Sequence, residues 1–197
     1  SVAAIPPDGS SFVIGHQAES RVYIINASLD IRIVGATYTN PWPNEQTCRP
    51  FPGGTYVDGS ATEARFYKLT DLAVTPDGAT VLVADRCNAA IRRIDVQTGE
   101  VGTLVRTARD LVTSQITESG PGFASFWLPQ NIDIAPNGTL IVVSDDVGAI
   151  YKVDILSRNT NLIAGSTSWH PSVYGGYQDG FGTTARFYAP AGVAFSP

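Results

Sequence analysis

Two aspartates at matching positions are the residues of this sequence whose type and placement could support chemistry. Asp85 ends the apolar run that begins at Val81, and Asp145 ends a similar run that contains Val143. A pair of carboxylates at one mouth of a fold could bind a metal ion or act in acid–base catalysis. The alternative is that each aspartate accepts backbone hydrogen bonds and anchors the loop that follows it.

Imidazole chemistry has few candidates. His16 and His170 are the two histidines, and they are far apart along the chain. A zinc site normally needs three or four protein ligands. The sequence also contains no Gly-x-Ser-x-Gly elbow, no phosphate-binding loop and no cluster of His, Asp and Glu. We therefore expect no catalytic residue, no bound metal and no cofactor.

An internal repeat must position these residues. A short apolar run that ends in proline recurs at Pro7, Pro76, Pro136 and Pro197, with separations of 69, 60 and 61 residues. Within each unit, four short stretches with strand character are separated by turn residues. No segment shows a sustained 3.6-residue apolar period. Four antiparallel strands per repeat are typical of a β-propeller blade, so we predict an all-β propeller with about three blades and the start of a fourth.

The strand positions follow from the repeat. We predict strands at residues 1–5, 10–15, 21–26 and 31–35, at 70–75, 79–85, 90–95 and 101–106, and at 130–135, 139–145, 149–155 and 160–165. The resulting division is blade 1 (about 1–35), an insertion (36–57), blade 2 (58–106), an insertion (107–123), blade 3 (124–165), an insertion (166–182) and the start of blade 4 (183–197). Propellers typically close with four to eight blades. Together with the absence of Met, this leads us to expect part of a longer chain; the alternative is that another copy completes the ring.

The second unit resembles an NHL repeat. The resemblance is carried by Asp58-Gly with Ala64-Arg-Phe66, by the Pro76-Asp-Gly turn, by Val83-Ala-Asp85 and by Asn88 followed by Ile91-Arg-Arg. Asp179 to Phe187 begins another copy, whereas the other two units match less densely. The resemblance implies a β-propeller and says little about chemistry, because one fold serves many functions. Since the aspartate recurs in each NHL-like repeat, the resemblance also favours the anchoring role for Asp85 and Asp145. Phe66, Phe126 and Phe187 share one repeat phase and are expected to pack between blades.

The strand order assigns the loops to two faces. In an antiparallel blade the loop between the second and third strands lies on the same face as the connection to the next blade, and all three insertions are such connections. Cys48 lies in the first insertion and Cys87 in the second-to-third strand loop of blade 2, so a disulfide between them is feasible. Two free thiols are the alternative.

Two groups of residues suggest contacts outside the chain. Asn26 and Asn137 begin glycosylation sequons at turns on the face opposite the insertions. Several aromatic residues lie in the insertions, outside the repeat, and could contact a partner or pack onto the propeller. These aromatic residues are Tyr38, Trp42, Phe51, Tyr56, Trp169, Tyr174 and Tyr177.

Charge and hydropathy narrow the class of partner. The formal net charge is −5 and no run of basic residues occurs, which disfavours nucleic acid and an RNA-binding role. Apolar runs are far shorter than the roughly 20 residues of a membrane span. We expect an extracellular or cell-surface module that binds a protein partner or other copies of itself. The alternative is a fragment of a secreted metal-dependent lyase or hydrolase with its site in the propeller funnel.

Overall fold

The computed structural model describes residues 2–4, 9, 11–37, 48, 56–107, 120–124, 126–167 and 177–196. Three sheets account for nearly all of the secondary structure in these ranges, and all of their strand pairs except one are antiparallel. Blade 1 contains β1 (Val2–Ala4), β2 (Ser11–His16), β3 (Arg21–Asn26) and β4 (Ile31–Val34). Blade 2 contains β5 (Leu69–Val74), β6 (Thr80–Asp85), β7 (Ala90–Asp95) and β8 (Val101–Thr107). After the two-residue β9 (Phe123–Ala124), blade 3 contains β10 (Pro129–Ile134), β11 (Leu140–Asp145), β12 (Ala149–Asp154) and β13 (Thr160–Gly165).

This architecture confirms the prediction of a β-propeller built from four-stranded antiparallel blades. Strands are hydrogen-bonded in sequence order within each blade, as in a simple meander. The first turn of a blade shows why the sequence folds this way. In blade 2, Asp77 accepts hydrogen bonds from Thr75 Oγ1 at 2.6 Å and from the amide of Ala79 at 3.0 Å. Gly78 takes the positive φ of 70° that the turn requires.

The first difference from the prediction lies at the boundary between blades 2 and 3. Phe123 and Ala124 form β9, which pairs in parallel with the end of β8 and so gives the blade 2 sheet a fifth strand. The predicted division places these two residues at the change from the second insertion to blade 3. The chain therefore enters blade 3 along the edge of blade 2, because the free edge of β8 offers it backbone donors and acceptors.

The beginning of blade 4 has the second difference. We expected its first strand near residue 193, and residues 177–196 contain no strand of a sheet. The amide of Phe195 instead donates to Asp133 of β10 at 2.7 Å. A similar contact, two residues earlier in the repeat, joins blades 2 and 3, where Asp71 of β5 accepts from the amide of Ile132 at 3.0 Å. The segment thus occupies the place of an inner strand without a ladder partner among the described residues.

The core consists of two apolar layers, one on each side of blade 2. Between blades 1 and 2, the layer includes Val13, Val22, Phe66, Val83 and Ile94. Between blades 2 and 3, the layer includes Leu82, Ile91, Phe126, Val143 and Tyr151. Phe66 and Phe126 therefore pack between blades, as their shared repeat phase predicts. None of the helical turns in the described ranges is long and apolar enough to cross a membrane.

We predict that Phe126→Ala destabilises the fold by about 3–5 kcal/mol, because the side chain is fully buried and the surrounding blades cannot close the cavity. Phe126 also meets the ring of Tyr151 edge-on, with ring centroids 6.0 Å apart. Urea denaturation measures the change. Phe181→Ala is the control, since that ring is 96% exposed, and it should change the free energy of unfolding by less than about 0.5 kcal/mol. Equal effects of the two substitutions would contradict the assignment of the core.

Candidate functional site

A buried arginine organises blade 2. Arg92 of β7 has no exposed side-chain surface. Its guanidinium donates to Asp85 Oδ2 and to the carbonyl of Arg65, both at 2.9 Å, and to the carbonyl of Val57 at 2.8 Å. Asp58 Oδ1 accepts two further hydrogen bonds, at 2.6 and 3.2 Å. A guanidinium has five N–H donors, so each of them has an acceptor here.

Two aromatic rings complete the surroundings of this guanidinium. The guanidinium carbon of Arg92 lies 4.7 Å from the ring centre of Tyr56 and 5.1 Å from that of Phe66. Contacts of this kind between a cation and a ring face are attractive, more so away from water. We call Tyr56, Asp58, Phe66 and the carbonyls of Val57 and Arg65 the arginine cradle.

The arginine cradle gives Tyr56 a structural role. Its ring lies against Arg92, and its hydroxyl is hydrogen-bonded to Thr103 of β8. Of the two alternatives for the insertion aromatics, contact with a partner or packing onto the propeller, Tyr56 shows packing.

Asp85 is held by one residue that precedes β5 and by one residue in the loop after β6. Its carboxylate accepts from the amide of Tyr67 at 2.7 Å and from the side-chain amide of Asn88 at 2.9 Å, besides Arg92. Burial raises the pKa of Asp85, and the charge of Arg92 acts against that rise. This arrangement confirms that the aspartate anchors the loop after β6.

Asp145 anchors the corresponding loop of blade 3 without a cation. It accepts from the amide of Ala149 at 2.8 Å and from the amide of Trp127 at 3.3 Å. The strand registers place Tyr151 at the position that Arg92 occupies in blade 2. Burial raises the pKa of Asp145 to about 6, against the effect of the backbone hydrogen bonds. The two aspartates therefore share a structural role but differ in charge balance.

The histidines do not assemble a metal centre in the part of the chain that the structure describes. His16 ends β2, at the position of Asp85 and Asp145, and its Nδ1 accepts from the amide of Glu19 at 3.3 Å. His170 lies outside the described residues. No group of three or more His, Cys, Asp or Glu side chains placed to hold a metal ion occurs among the described residues.

A disulfide bond joins the first insertion to blade 2. Cys48 and Cys87 are bonded, with their Cα atoms 4.9 Å apart. Cys87 lies in a short 3₁₀ turn after β6, and its amide donates to the carbonyl of Tyr67 at 3.0 Å. Beside it, Arg86 forms an ion pair of 2.5 Å with Asp146 in the corresponding loop of blade 3. The loops of two neighbouring blades are thereby tied together on one face.

The other candidate contact residues divide between the two faces. Asn26 and Asn137 lie in exposed turns opposite the disulfide, where each side-chain oxygen accepts hydrogen bonds from residues that follow it. Tyr177 is 88% exposed. The remaining insertion aromatics lie outside the described residues, namely Tyr38, Trp42, Phe51, Trp169 and Tyr174.

Sequence reasoning missed the arginine cradle. The signal was present in the pattern Tyr-x-Asp-Gly followed by Ala-Arg-Phe-Tyr, which occurs at residues 56–67 and again at 177–188. Only part of that pattern belongs to the NHL resemblance. Its first tyrosine, which is Tyr56 or Tyr177, falls in a predicted insertion.

Comparisons with known proteins agree with the fold. No protein-family model matches the chain, and no curated protein matches it. Among solved structures, the chain is similar to Kuenenia stuttgartiensis hydrazine synthase, with a TM-score of 0.52 and 18% sequence identity. The match covers 82% of this chain and 34% of that chain. The likeness shows the fold alone. The chain is a β-propeller array, and it spans about a third of the solved chain that it resembles.

We predict that Arg92→Leu destabilises the fold by about 3–5 kcal/mol, because the substitution leaves the carboxylate of Asp85 buried without its counterion. Chemical denaturation near pH 7 measures the loss. Arg93→Leu is the matched control: it changes the same residue type at the next position of the strand, where the side chain is exposed. If both substitutions cost the same free energy, Arg92 does not have the structural role described here.

A second prediction concerns pH. Folded Asp145 keeps its proton up to about pH 6, whereas the unfolded carboxyl ionises near its ordinary value of 3.8. Between these values the folded state binds more protons, so this group makes the protein less stable as pH rises. Relative to Asp145→Asn, the free energy of unfolding should fall by about 2 kcal/mol between pH 4 and pH 6.5. A pH-independent difference between the two proteins in urea titrations would contradict this assignment.

Proposed function

We propose that this chain is an extracellular interaction or structural module of the NHL-type β-propeller class. It binds a protein partner or a neighbouring subunit through the face that carries the loops after β6 and β11 and the three long insertions. We call this surface the insertion face. The observation that carries the proposal is that the fourth strand of every blade ends there.

The strand registers place the ends of these strands. Val34 at the end of β4 pairs with Val22 near the start of β3. Arg106 near the end of β8 pairs with Ala90, and Gly165 at the end of β13 pairs with Ala149. Each insertion therefore leaves the propeller beside a loop between the second and third strands. Repeat proteins commonly enlarge one surface in this way for binding.

Covalent and ionic links support the insertion face as a binding surface. The Cys48–Cys87 disulfide attaches the first insertion to blade 2, and the Arg86–Asp146 ion pair joins blades 2 and 3. A surface held in place before binding loses less conformational entropy when a partner docks.

The extracellular assignment rests on two features. Disulfides persist mainly in oxidising compartments. The sequons at Asn26 and Asn137 are exposed on the opposite face, so glycans there would leave the insertion face accessible. Intact mass before and after glycosidase treatment of protein from the native source tests this part. An unchanged mass would count against glycosylation.

We predict that a photo-crosslinking residue at Thr37 captures a partner of defined mass in the native source, whereas the same residue at Ser157 does not. Both positions carry exposed hydroxyl side chains, Thr37 on the insertion face and Ser157 in a turn on the opposite face. Adding Trp42→Ala to the Thr37 variant should lower the yield of the adduct, since tryptophan is enriched among the residues that dominate protein–protein contacts. Adducts formed equally from both faces, or only from Ser157, would contradict the proposal.

A further inference from the structure

Residues 177–188 repeat the segment that forms most of the arginine cradle. Residues 56–67 and 177–188 are 121 positions apart and identical at eight of twelve positions. Both segments fold back on themselves in the same way, since the amide of Arg65 donates to Val57 and the amide of Arg186 donates to Gln178, each at 3.0 Å. Lys68 and Ala189, the residues that follow, both adopt a positive φ, of 56° and 42°.

The second segment keeps every group through which the first one binds a guanidinium. Tyr177, Asp179 and Phe187 correspond to Tyr56, Asp58 and Phe66, and two backbone carbonyls correspond as well. The Tyr177 hydroxyl donates to Asp179 at 3.3 Å, so the two groups that would receive an arginine contact each other. The guanidinium of Arg186 does not contact these groups. It donates to the carbonyls of Thr183 and Ala185, both at 2.7 Å.

Exposure separates the two segments. Tyr67 is 4% exposed in the first, whereas its counterpart Tyr188 is 70% exposed. At the first segment, the bound guanidinium is that of Arg92 from β7, and β8 covers the other side of the site. There Gly59 and Val101 exchange two backbone hydrogen bonds, at 3.0 and 2.8 Å, and the amide of Thr103 donates to Asp58 at 3.2 Å. The ligand that fits this site is therefore an arginine on one strand of a β-hairpin.

We propose that the segment Tyr177–Tyr188 is a binding site for the guanidinium group of an arginine carried by a β-hairpin. Asp179 accepts two donors of the guanidinium through its carboxylate, and the carbonyls of Gln178 and Arg186 accept two more. The fifth donor is the one that Asp85, outside the first segment, accepts in blade 2. The rings of Tyr177 and Phe187 pack against the planar group. The hairpin continues the fold by pairing with the backbone at Gly180, as β8 pairs with Gly59.

The probe is a synthetic peptide of residues 89–107, which contains β7, β8 and Arg92. Titration into the isotope-labelled protein should shift the amide resonances of residues 177–188 in a saturable manner. A matched peptide with citrulline at position 92 keeps the shape and removes the charge, and it should bind about tenfold more weakly or worse. Asp179→Asn in the protein should weaken the arginine peptide similarly. Asp77→Asn, a change at an exposed turn of blade 2, should have no effect.

Three outcomes would overturn the proposal. They are equal binding of the arginine and citrulline peptides, equal binding by wild type and Asp179→Asn, and no shift in residues 177–188 at millimolar peptide. Sedimentation of the full chain then identifies the source of the arginine. A dimer that Asp179→Asn dissociates shows that a second copy supplies it. If the protein stays monomeric while it binds the peptide, the arginine comes from a β-strand that a second copy does not supply.

Discussion

The burial of the Arg92 guanidinium is the constraint on which blade 2 depends. A cation without solvent is tolerated only when its charge is balanced and each N–H donor has an acceptor. Asp85 and Asp58 supply the balance, and the carbonyls of Val57 and Arg65 supply the remaining acceptors. These requirements position two other parts of the chain. Asp85 holds the loop after β6, and Asp58 holds residues 56–67, which precede β5, against β8.

The neighbouring blades have different side chains at the positions of Arg92 and Asp85. Blade 3 has Tyr151 where blade 2 has Arg92, and the ring packs edge-on against Phe126 instead of a cation packing against Phe66. Asp145 is then buried without a counterion and holds its proton to about pH 6. Blade 1 has Tyr23 and His16 at the two corresponding positions. In a repeat array each interface has its own energetics, so one backbone pattern supports interfaces of different chemistry.

The two faces of the array differ because of the connectivity within each blade. The turns between first and second strands and between third and fourth strands are short, and they are closed by local hydrogen bonds such as those of Asp77 and Asp95. The opposite face receives every long insertion, together with the disulfide and the Arg86–Asp146 ion pair. Variation is thus confined to a surface where added length does not interrupt a strand ladder, which is where a binding function can change without loss of the fold.

The sequence by itself determined the repeat of four-stranded units, the positions of nearly all strands, the placement of Asp85 and Asp145 at the ends of their strands and the pairing partner available to Cys48. All of these follow from local signals, namely the two-residue alternation of strands, turn residues such as Pro76-Asp-Gly78 and the spacing of the repeat. The arginine cradle and the parallel strand at Phe123–Ala124 were decided by the tertiary structure. Each of these depends on which segment lies beside another in space. Arg92 and Arg93 are indistinguishable in the sequence pattern, and only the packing of residues 56–66 against Arg92 buries one of them while the other stays in water.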